Sequence, residues 1–338
     1  MKFINNNKKI FIIAEAGINH NGSVKLAKKM VDVVKASGAD CIKFQTFKVE
    51  ELVSNKSLTY TYKSQGKEIT ESQYDMFKRC EFTPGEWKKI IAYCKKKGIL
   101  FSTTAQNLSD LDLILSLTDL PFIKVGSDDL TNLDLMIAYA KKGIPMVISA
   151  GMAFAGEIED AVLAIRNAGN SDVTVLHCIA SYPAQADEVN LRKIPIIREC
   201  FGVKVGFSDH TIGSTAAIGA VCFGATIIEK HFTLDHDLPG PDHWFSLDPE
   251  ELKVYVKDIR FVERSLGSSI LRPTDKEMAM RPIARRSIVA KTKIPAGQTI
   301  TSKNIEFKRP GTGISPRFKR LVINQLARKN YEPGDLIE

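Results

Sequence analysis

The chain has no apolar run approaching the roughly 20 residues that a membrane-spanning helix needs. Its opening, Met-Lys-Phe-Ile-Asn-Asn-Asn-Lys-Lys, carries charge but no apolar stretch of signal-peptide length. A cytoplasmic protein that does not engage a membrane is expected. Cysteine is sparse and dispersed. The six thiols, at positions 41, 80, 94, 178, 200 and 222, form no C-x-x-C pair and no short-spaced framework, which argues against a disulfide scaffold. Cys41, Cys178 and Cys222 sit in apolar surroundings and read as small buried hydrophobes. Aromatics are scarce near the end of the chain, where only Phe307, Phe318 and Tyr331 occur after Arg272. That scarcity argues against a stacking platform for single-stranded nucleic acid, although the charge excess lies in the same place. From Arg272 onward 15 Lys or Arg face 6 Asp or Glu, against a net charge of +8 for the whole chain. A basic tail of this kind binds a polyanion or covers an anionic substrate.

What is present is an alternating pattern. The 338 residues are 44% hydrophobic and 25% charged, ordinary for a globular enzyme and enough for one large barrel with an appendage. Short β-branched or apolar runs alternate with amphipathic stretches from Ile10 to Gly267. The strands read Ile10 to Glu15, Cys41 to Thr46, Leu100 to Thr103, Phe122 to Val125, Pro145 to Ser149, Val173 to Cys178, Val203 to Phe207 and Thr226 to Lys230. Their near-continuous apolar character suits parallel strands buried on both faces. The first helix carries Leu26, Ala27, Met30, Val33 and Val34 at helical spacing; the eighth carries Leu252, Val256, Ile259, Val262 and Leu266 and stops at Gly267. Eight such pairs predict a (β/α)8 TIM barrel over residues 1–267. The long polar segment from Phe47 to Thr83 is expected as an excursion at the barrel mouth that shapes substrate access. Residues 268–284 read as a linker, and 285–338 as a compact β-rich module with turns at Pro295 to Gln298 and Tyr331 to Asp335.

Active sites of such barrels lie at the carboxyl ends of the strands, and those ends are polar. Glu15, Lys43, Gln45, Thr103, Lys124, Ser127, Ser149, His177 and Tyr182 all fall there. Lysines and hydroxyls converging at strand ends can hold a phosphate and a carboxylate together. The stretch from Val203 to His231 reads as strand, helix, strand, ending in Ser208-Asp209-His210 and in Glu229-Lys230-His231. Neighbouring parallel strands lie about 4.8 Å apart, so two imidazoles beside Asp209, Glu229 and Asp242 make a candidate divalent-metal site with open positions.

These motifs resemble a known family. Ala-Glu-Ala-Gly-Ile-Asn-His-Asn-Gly (14 to 22), Ile-Lys-Phe-Gln-Thr (42 to 46), Lys-Val-Gly-Ser (124 to 127), Ile-Ser-Ala-Gly-Met (148 to 152), Gly-Phe-Ser-Asp-His (206 to 210), Glu-Lys-His-Phe-Thr (229 to 233) and Gly-Pro-Asp-His (240 to 243) are similar to the sialic acid synthases. Lys-Arg-Pro-Gly-Thr-Gly-Ile-Ser (308 to 315) resembles their antifreeze-like SAF domain.

The resemblance implies condensation of phosphoenolpyruvate with N-acetylmannosamine or a related diacetamido hexose, giving a nine-carbon 2-keto acid and phosphate. By motif, His210 and His231 would bind Mn2+, with Mg2+ or Co2+ as substitutes. Lys43, Thr103, Lys124, Ser127, Ser149 and Ser208 would hold phosphoenolpyruvate. Gln45, Tyr182 and Asp242 would hold the sugar, Glu15 would handle a proton or orient water, and Glu229 would orient a metal-bound water. A domain-swapped homodimer would bring Arg309 into the partner's barrel, which accounts for the basic tail without nucleic acid. Ser-Thr-Thr-Ala (102 to 105), Gly-Ser-Asp-Asp (126 to 129) and Cys-Ile-Ala-Ser-Tyr-Pro (178 to 183) depart from the commonest family pattern, as do Trp244 and Phe245 where small residues are usual. A bulkier lining there would favour a deoxy or diacetamido sugar; outward packing is the alternative. Two other functions remain open on the residues: a class I aldolase using Lys43, Lys124 or Lys230 as a Schiff-base amine, and an inert barrel whose basic module binds a polyanion.

Overall fold

The structure, a computed structural model, describes residues 9–338, so residues 1–8 of the charged opening lie outside the described residues. The chain divides into two compact units, 1–267 and 268–338.

In the first unit eight parallel strands close into a barrel. They are β1 (Phe11–Gly17), β2 (Cys41–Thr46), β5 (Leu100–Ala105), β6 (Ile123–Val125), β7 (Met146–Ser149), β8 (Val173–Cys178), β9 (Lys204–Asp209) and β10 (Ile227–His231), in the circular order β1-β10-β9-β8-β7-β6-β5-β2. The two missing numbers belong to an antiparallel hairpin, β3 (Thr59–Ser64) and β4 (Lys67–Ser72), inside the 47–83 excursion. Helices follow the barrel strands, several of them fixed by side-chain caps. Thr83 and Glu86 form a capping box on Pro84–Lys97, and Asp248 and Glu251 form another on Pro249–Ser265.

Strand alternation divides the residues into two sets. One set, including Ile12, Phe44, Phe101, Val125, Ile148, Val175, Phe207 and Ile228, packs outward against the helices in the main core. The other set faces the barrel interior, where Phe11, Ile13, Cys41, Phe122, Val147, Leu176 and Ile227 form a separate apolar plug. Above that plug the same inward positions turn polar. Gly206 is the inward residue of β9 at the level of the plug, paired with Leu176, and a Cβ there would lie 2.5 Å from Leu176 Cδ2 and 2.6 Å from the Ile227 carbonyl oxygen, so β8, β9 and β10 approach this closely only around a glycine.

Several strands run further than their apolar runs suggest: β1 continues to Gly17, β5 to Ala105, β9 to Asp209 and β10 to His231. The apolar pattern stops where side chains turn toward the mouth, but the ladder continues. Register pairs Glu15 with Lys43 and with His231, and Gln45 with Thr104.

The second unit has its own core of Ile288, Ile294, Ile300, Ile305, Val322, Tyr331 and Ile337. It contains the antiparallel pair β11 (Ser287–Ala290) and β12 (Ile305–Lys308). The stretch read as a linker holds a helix, Asp275–Ala284, started by a Thr274–Glu277 capping box; its apolar residues are exposed and non-periodic, so hydrophobic patterning did not reveal it. Among the described residues, no helix is long and apolar enough to cross a membrane.

Candidate active site

A cavity of about 640 Å3 opens at the carboxyl ends of the barrel strands, within the size range of small-ligand sites. Glu15, Lys43, Gln45, Lys124, Ser127, Ser149, Tyr182, Ser208, His210, Glu229, His231 and Asp242 all line it. A second cavity, about 730 Å3, lies over residues 183–192 with Ile212 and Phe223, and has none of the strand-end lysines or histidines.

The floor is a buried charge cluster. Lys43 Nζ lies 2.6 Å from Glu15 Oε2 and 3.6 Å from Glu229 Oε2, and it donates to Thr104 Oγ1 at 2.8 Å. Lys124 Nζ donates to Ser149 Oγ and to the Val125 carbonyl, each at 2.8 Å, and sits 3.8 Å from Glu229 Oε1. Ser208 donates to Glu229 Oε1 at 2.8 Å. On the adjoining wall the Gly151 amide donates to Ser127 Oγ at 2.9 Å.

The two carboxyls titrate apart. Burial pushes Glu15 up, Lys43 opposes this and Glu229 adds to it, and the result is about 7. Burial also acts on Glu229, but Lys124, Lys43 and the Ser208 hydroxyl outweigh it and hold that carboxyl down at about 2. Near neutrality the pair can therefore carry a proton on Glu15 while Glu229 stays ionised. Burial likewise lowers Lys124, whereas the two glutamates outweigh it at Lys43 and raise that ammonium.

Two histidines stand beside this cluster, with His210 and His231 ring centroids 5.6 Å apart. His210 Nδ1 lies 2.6 Å from the Ile179 carbonyl oxygen. A carbonyl only accepts, so Nδ1 carries the proton and Nε2 keeps its lone pair. That Nε2 is 3.3 Å from Ser208 Oγ, whose hydrogen is directed at Glu229. Burial lowers His210 to about 4 and takes His231 well below its ordinary value, so both rings are neutral. His231 Nδ1 is buried without a hydrogen-bond partner and lies 3.7 Å from Asp242 Oδ2; Glu229 Oε2 likewise accepts no hydrogen bond and has the Lys43 ammonium 3.6 Å away. Two neutral imidazoles with free lone pairs beside an anionic oxygen fit a divalent ion of intermediate softness. Burial raises Asp242 to about 6. Among the described residues, the one trio of donor atoms already within 4.8 Å of one another is elsewhere: His236, Asp248 and Glu251, two of which cap the helix Pro249–Ser265.

The mouth is more apolar. Tyr182 lies over His210 at 4.1 Å between ring centroids and meets Phe245 at 5.2 Å. Gly17, at φ +51, makes the bend after β1 that lets Glu15, Gln45 Nε2 and Asp242 Oδ2 converge; a Cβ there would come within 3.5 to 3.7 Å of all three.

Some expected positions fall elsewhere, and strand alternation explains most of them. Thr103 points outward, where its hydroxyl meets Thr46 Oγ1 at 2.8 Å; Thr104 occupies the inward place beside Lys43. Counting by twos from Gln45 through the strand register would have found it. Asp209 also points outward, bonded to Tyr255, Thr211 and Lys230, so it is no metal ligand and Lys230 is no Schiff-base amine. His177 is buried against Phe207, with Nε2 2.6 Å from the Val189 carbonyl. Of the aromatic pair after Pro-Asp-His, Phe245 lines the cavity and Trp244 does not. Arg309 is exposed on the second unit. Tyr60, Gln73, Met76 and Phe77 from the excursion also line the cavity; no periodic signal in the sequence marked them.

The closed parallel barrel, with its charged floor and paired imidazoles at the strand ends, defines the class as a (β/α)8 barrel with a buried charge cluster at the carboxyl ends of its strands. The sequence pattern of the NeuB family matches residues 30–271 and that of the SAF domain matches 285–338; the chain belongs to the NeuB family and carries a C-terminal SAF domain. It is 40% identical to the N,N'-diacetyllegionaminic acid synthase of Campylobacter jejuni, over 98% of this chain and 99% of that one. It is 38% identical to the enzyme of the same name from Legionella pneumophila, over 96% and 92%. The crystal structure of an N-acetylneuraminic acid synthetase from Leptospira borgpetersenii matches with a TM-score of 0.72 and 32% identity, covering 80% of this chain and 90% of that one.

Proposed function

We propose that the protein is a nonulosonate synthase that condenses phosphoenolpyruvate with an open-chain N-acetylated hexose, preferentially a diacetamido-trideoxyhexose of the legionaminic branch, releasing phosphate. The observation carrying this reading is the single inward face that sets two buried ammonium groups and a row of hydroxyls beside two neutral imidazoles. The names of two relatives that match over nearly the full length favour the diacetamido acceptor.

Lys43 and Lys124, with Thr104, Ser127, Ser149 and Ser208, hold the phosphate and carboxylate of phosphoenolpyruvate; Gln45, Tyr182 and Asp242 hold the sugar. His210 and His231 would hold a divalent ion, Mn2+ first among candidates, which supplies Lewis-acid polarisation of the sugar aldehyde. The methylene carbon of phosphoenolpyruvate bonds to the aldehyde carbon, whose oxygen takes a proton and becomes a hydroxyl. Water adds to the cationic central carbon and loses a proton. The carbon–oxygen bond to phosphate then breaks as the new hydroxyl gives up its proton, releasing hydrogen phosphate and leaving the ketone. Glu15, with its carboxyl poised near 7, gives or takes a proton in these steps, and Glu229 stays anionic to stabilise the developing cation. In the same reading a second copy of the chain contributes Arg309 to the sugar.

Phosphate release from phosphoenolpyruvate with Mn2+ and each of the two sugars, with product mass, tests this. Chelator-sensitive release with a nine-carbon product is the expected result, and no release with either sugar would overturn it.

A further inference from the structure

The 47–83 excursion is built as a brace across the mouth. Its hairpin turns at Gln65 and Gly66, with φ of +51 and +73. The tip is tied to the loop that carries Asp242: Gln65 Nε2 donates to the Asp237 carbonyl at 2.8 Å, the Gly240 amide donates to Ser64 Oγ at 3.2 Å, and Lys63 Nζ stands 4.9 Å from the centre of the Trp244 ring. At its base, Tyr62 donates to Glu71 at 2.5 Å, and Arg79 clamps the same carboxylate. Ser72 then caps the short helix Gln73–Lys78, which brings Met76 and Phe77 to the cavity.

Tyr60 stands at the basal anchor itself, paired in register with Glu71. Its ring stacks on Tyr62 at 5.9 Å between centroids, and it lines the cavity while 42% exposed. The negative charge of Asp242 adds to burial in raising its hydroxyl, so Tyr60 lies within electrostatic reach of the sugar-side carboxylate. Its ring is one of the apolar groups that the cavity lining adds to the lysines and carboxylates of the floor, with Met76, Phe77 and Phe245.

Resting on the synthase reading above, we propose that Tyr60 is a specificity-determining residue for the acceptor. Braced by the hairpin, its ring forms the wall on which a second acetamido group and a methyl terminus pack, so the mouth selects a diacetamido-trideoxyhexose over a more hydroxylated N-acetylhexose. Methyl-bearing groups gain from leaving water against such a wall, whereas hydroxyls lose hydration there without finding replacement partners. One added or lost methylene in an apolar pocket changes kcat/KM by about 10- to 200-fold.

The test uses the full chain with Mn2+ and measures kcat/KM for N-acetylmannosamine and for the diacetamido sugar, and KM for phosphoenolpyruvate, in wild type, Tyr60→Ala and Tyr60→Phe. Tyr60→Ala is expected to lower the ratio of diacetamido to monoacetamido kcat/KM by about tenfold or more with KM for phosphoenolpyruvate unchanged. Tyr60→Phe should keep the wild-type ratio. Should Tyr60→Ala not accumulate as folded protein, Tyr60→Thr, suited to a strand, reports the same ratio. A parallel fall with both sugars, or no change with either, would overturn the assignment and leave the ring a structural part of the hairpin. A wild type that prefers N-acetylmannosamine overturns this inference together with the diacetamido preference proposed above, and leaves the condensation of phosphoenolpyruvate with an N-acetylated hexose standing. A wild type releasing no phosphate with either sugar overturns the synthase reading and this inference with it.

Discussion

Lys43 and Glu15 face each other on adjacent strands, paired in register, with the ammonium 2.6 Å from the carboxyl and both groups buried. Glu229 approaches the same ammonium from β10, so one lysine is shared by two acids. Lys43→Met removes that shared partner and leaves two carboxyls buried side by side. Steady-state kinetics should show a fall in kcat/KM for phosphoenolpyruvate of about a thousandfold or more, the scale of losing a buried charge-assisted contact of several kcal/mol. A loss under tenfold would remove Lys43 from the anion site.

Glu15 also sets a pH dependence of stability. Its folded value of about 7 lies above the ordinary carboxyl value of 4.5. Below 4.5 both folded and unfolded forms hold the proton, and no difference arises. Between 4.5 and 7 only the unfolded form ionises, so stability is lost as pH rises, by an amount on the order of 3 kcal/mol at full titration. Thermal melts of wild type and Glu15→Gln should therefore diverge, with wild type losing Tm relative to the variant from pH 5 to pH 7.5 and running parallel above. Parallel curves throughout would mean that Glu15 is ionised across that range.

The adjacent threonines of β5 offer a direct comparison. Thr104 is bonded to Lys43 inside the barrel, and Thr103 to Thr46 outside it. Thr104→Val should raise KM for phosphoenolpyruvate about tenfold, the scale of one charge-assisted hydrogen bond. Thr103→Val should leave kcat/KM within about twofold and cost about 1 kcal/mol in urea unfolding. The reverse outcome would place the outward residue in the site.

Removing His210 or His231 tests the metal assignment. His210→Ala and His231→Ala should each reduce turnover by about three orders of magnitude, consistent with the loss of a metal ligand or its electrostatic work, and each should weaken Mn2+ binding by calorimetry at unchanged far-ultraviolet circular dichroism. Full activity of either variant in a chelator would exclude a metal held by this pair.

Arg309 can be tested by complementation. Arg309→Ala is expected to raise KM for the sugar while sparing that for phosphoenolpyruvate. Co-expressing Arg309→Ala chains with His231→Ala chains should restore part of the activity if Arg309 serves a second copy's barrel, because one site in each mixed pair is then intact. No recovery in purified mixed pairs would place Arg309 outside the partner's site.

Borohydride trapping with pyruvate bears on the aldolase alternative. Lys124 lines the cavity and burial lowers its ammonium, so it is the amine to watch. The expected mass spectrum is that of the unmodified chain, and an adduct on Lys124 would favour the Schiff-base chemistry.

The barrel was legible in the sequence because strands buried on both faces must be apolar nearly throughout, and eight such runs between amphipathic stretches leave few architectures. Most of the floor was legible too, since Glu15, Lys43, Lys124 and Glu229 stand at the ends of those runs. The sequence by itself thus determined that charge would gather at one end of the barrel. Which side of each strand faced that end was left to register and closure. Alternation has a period of two, so a slip of one position exchanges Thr103 for Thr104 and sends Asp209, His177 and Lys230 to the helices. The mouth was decided by tertiary structure alone: Tyr60, Gln73, Met76 and Phe77 reach the cavity because a hairpin tip is bonded to a loop some 170 residues away, at Gly240. No local periodicity encodes a contact between segments so far apart in the chain.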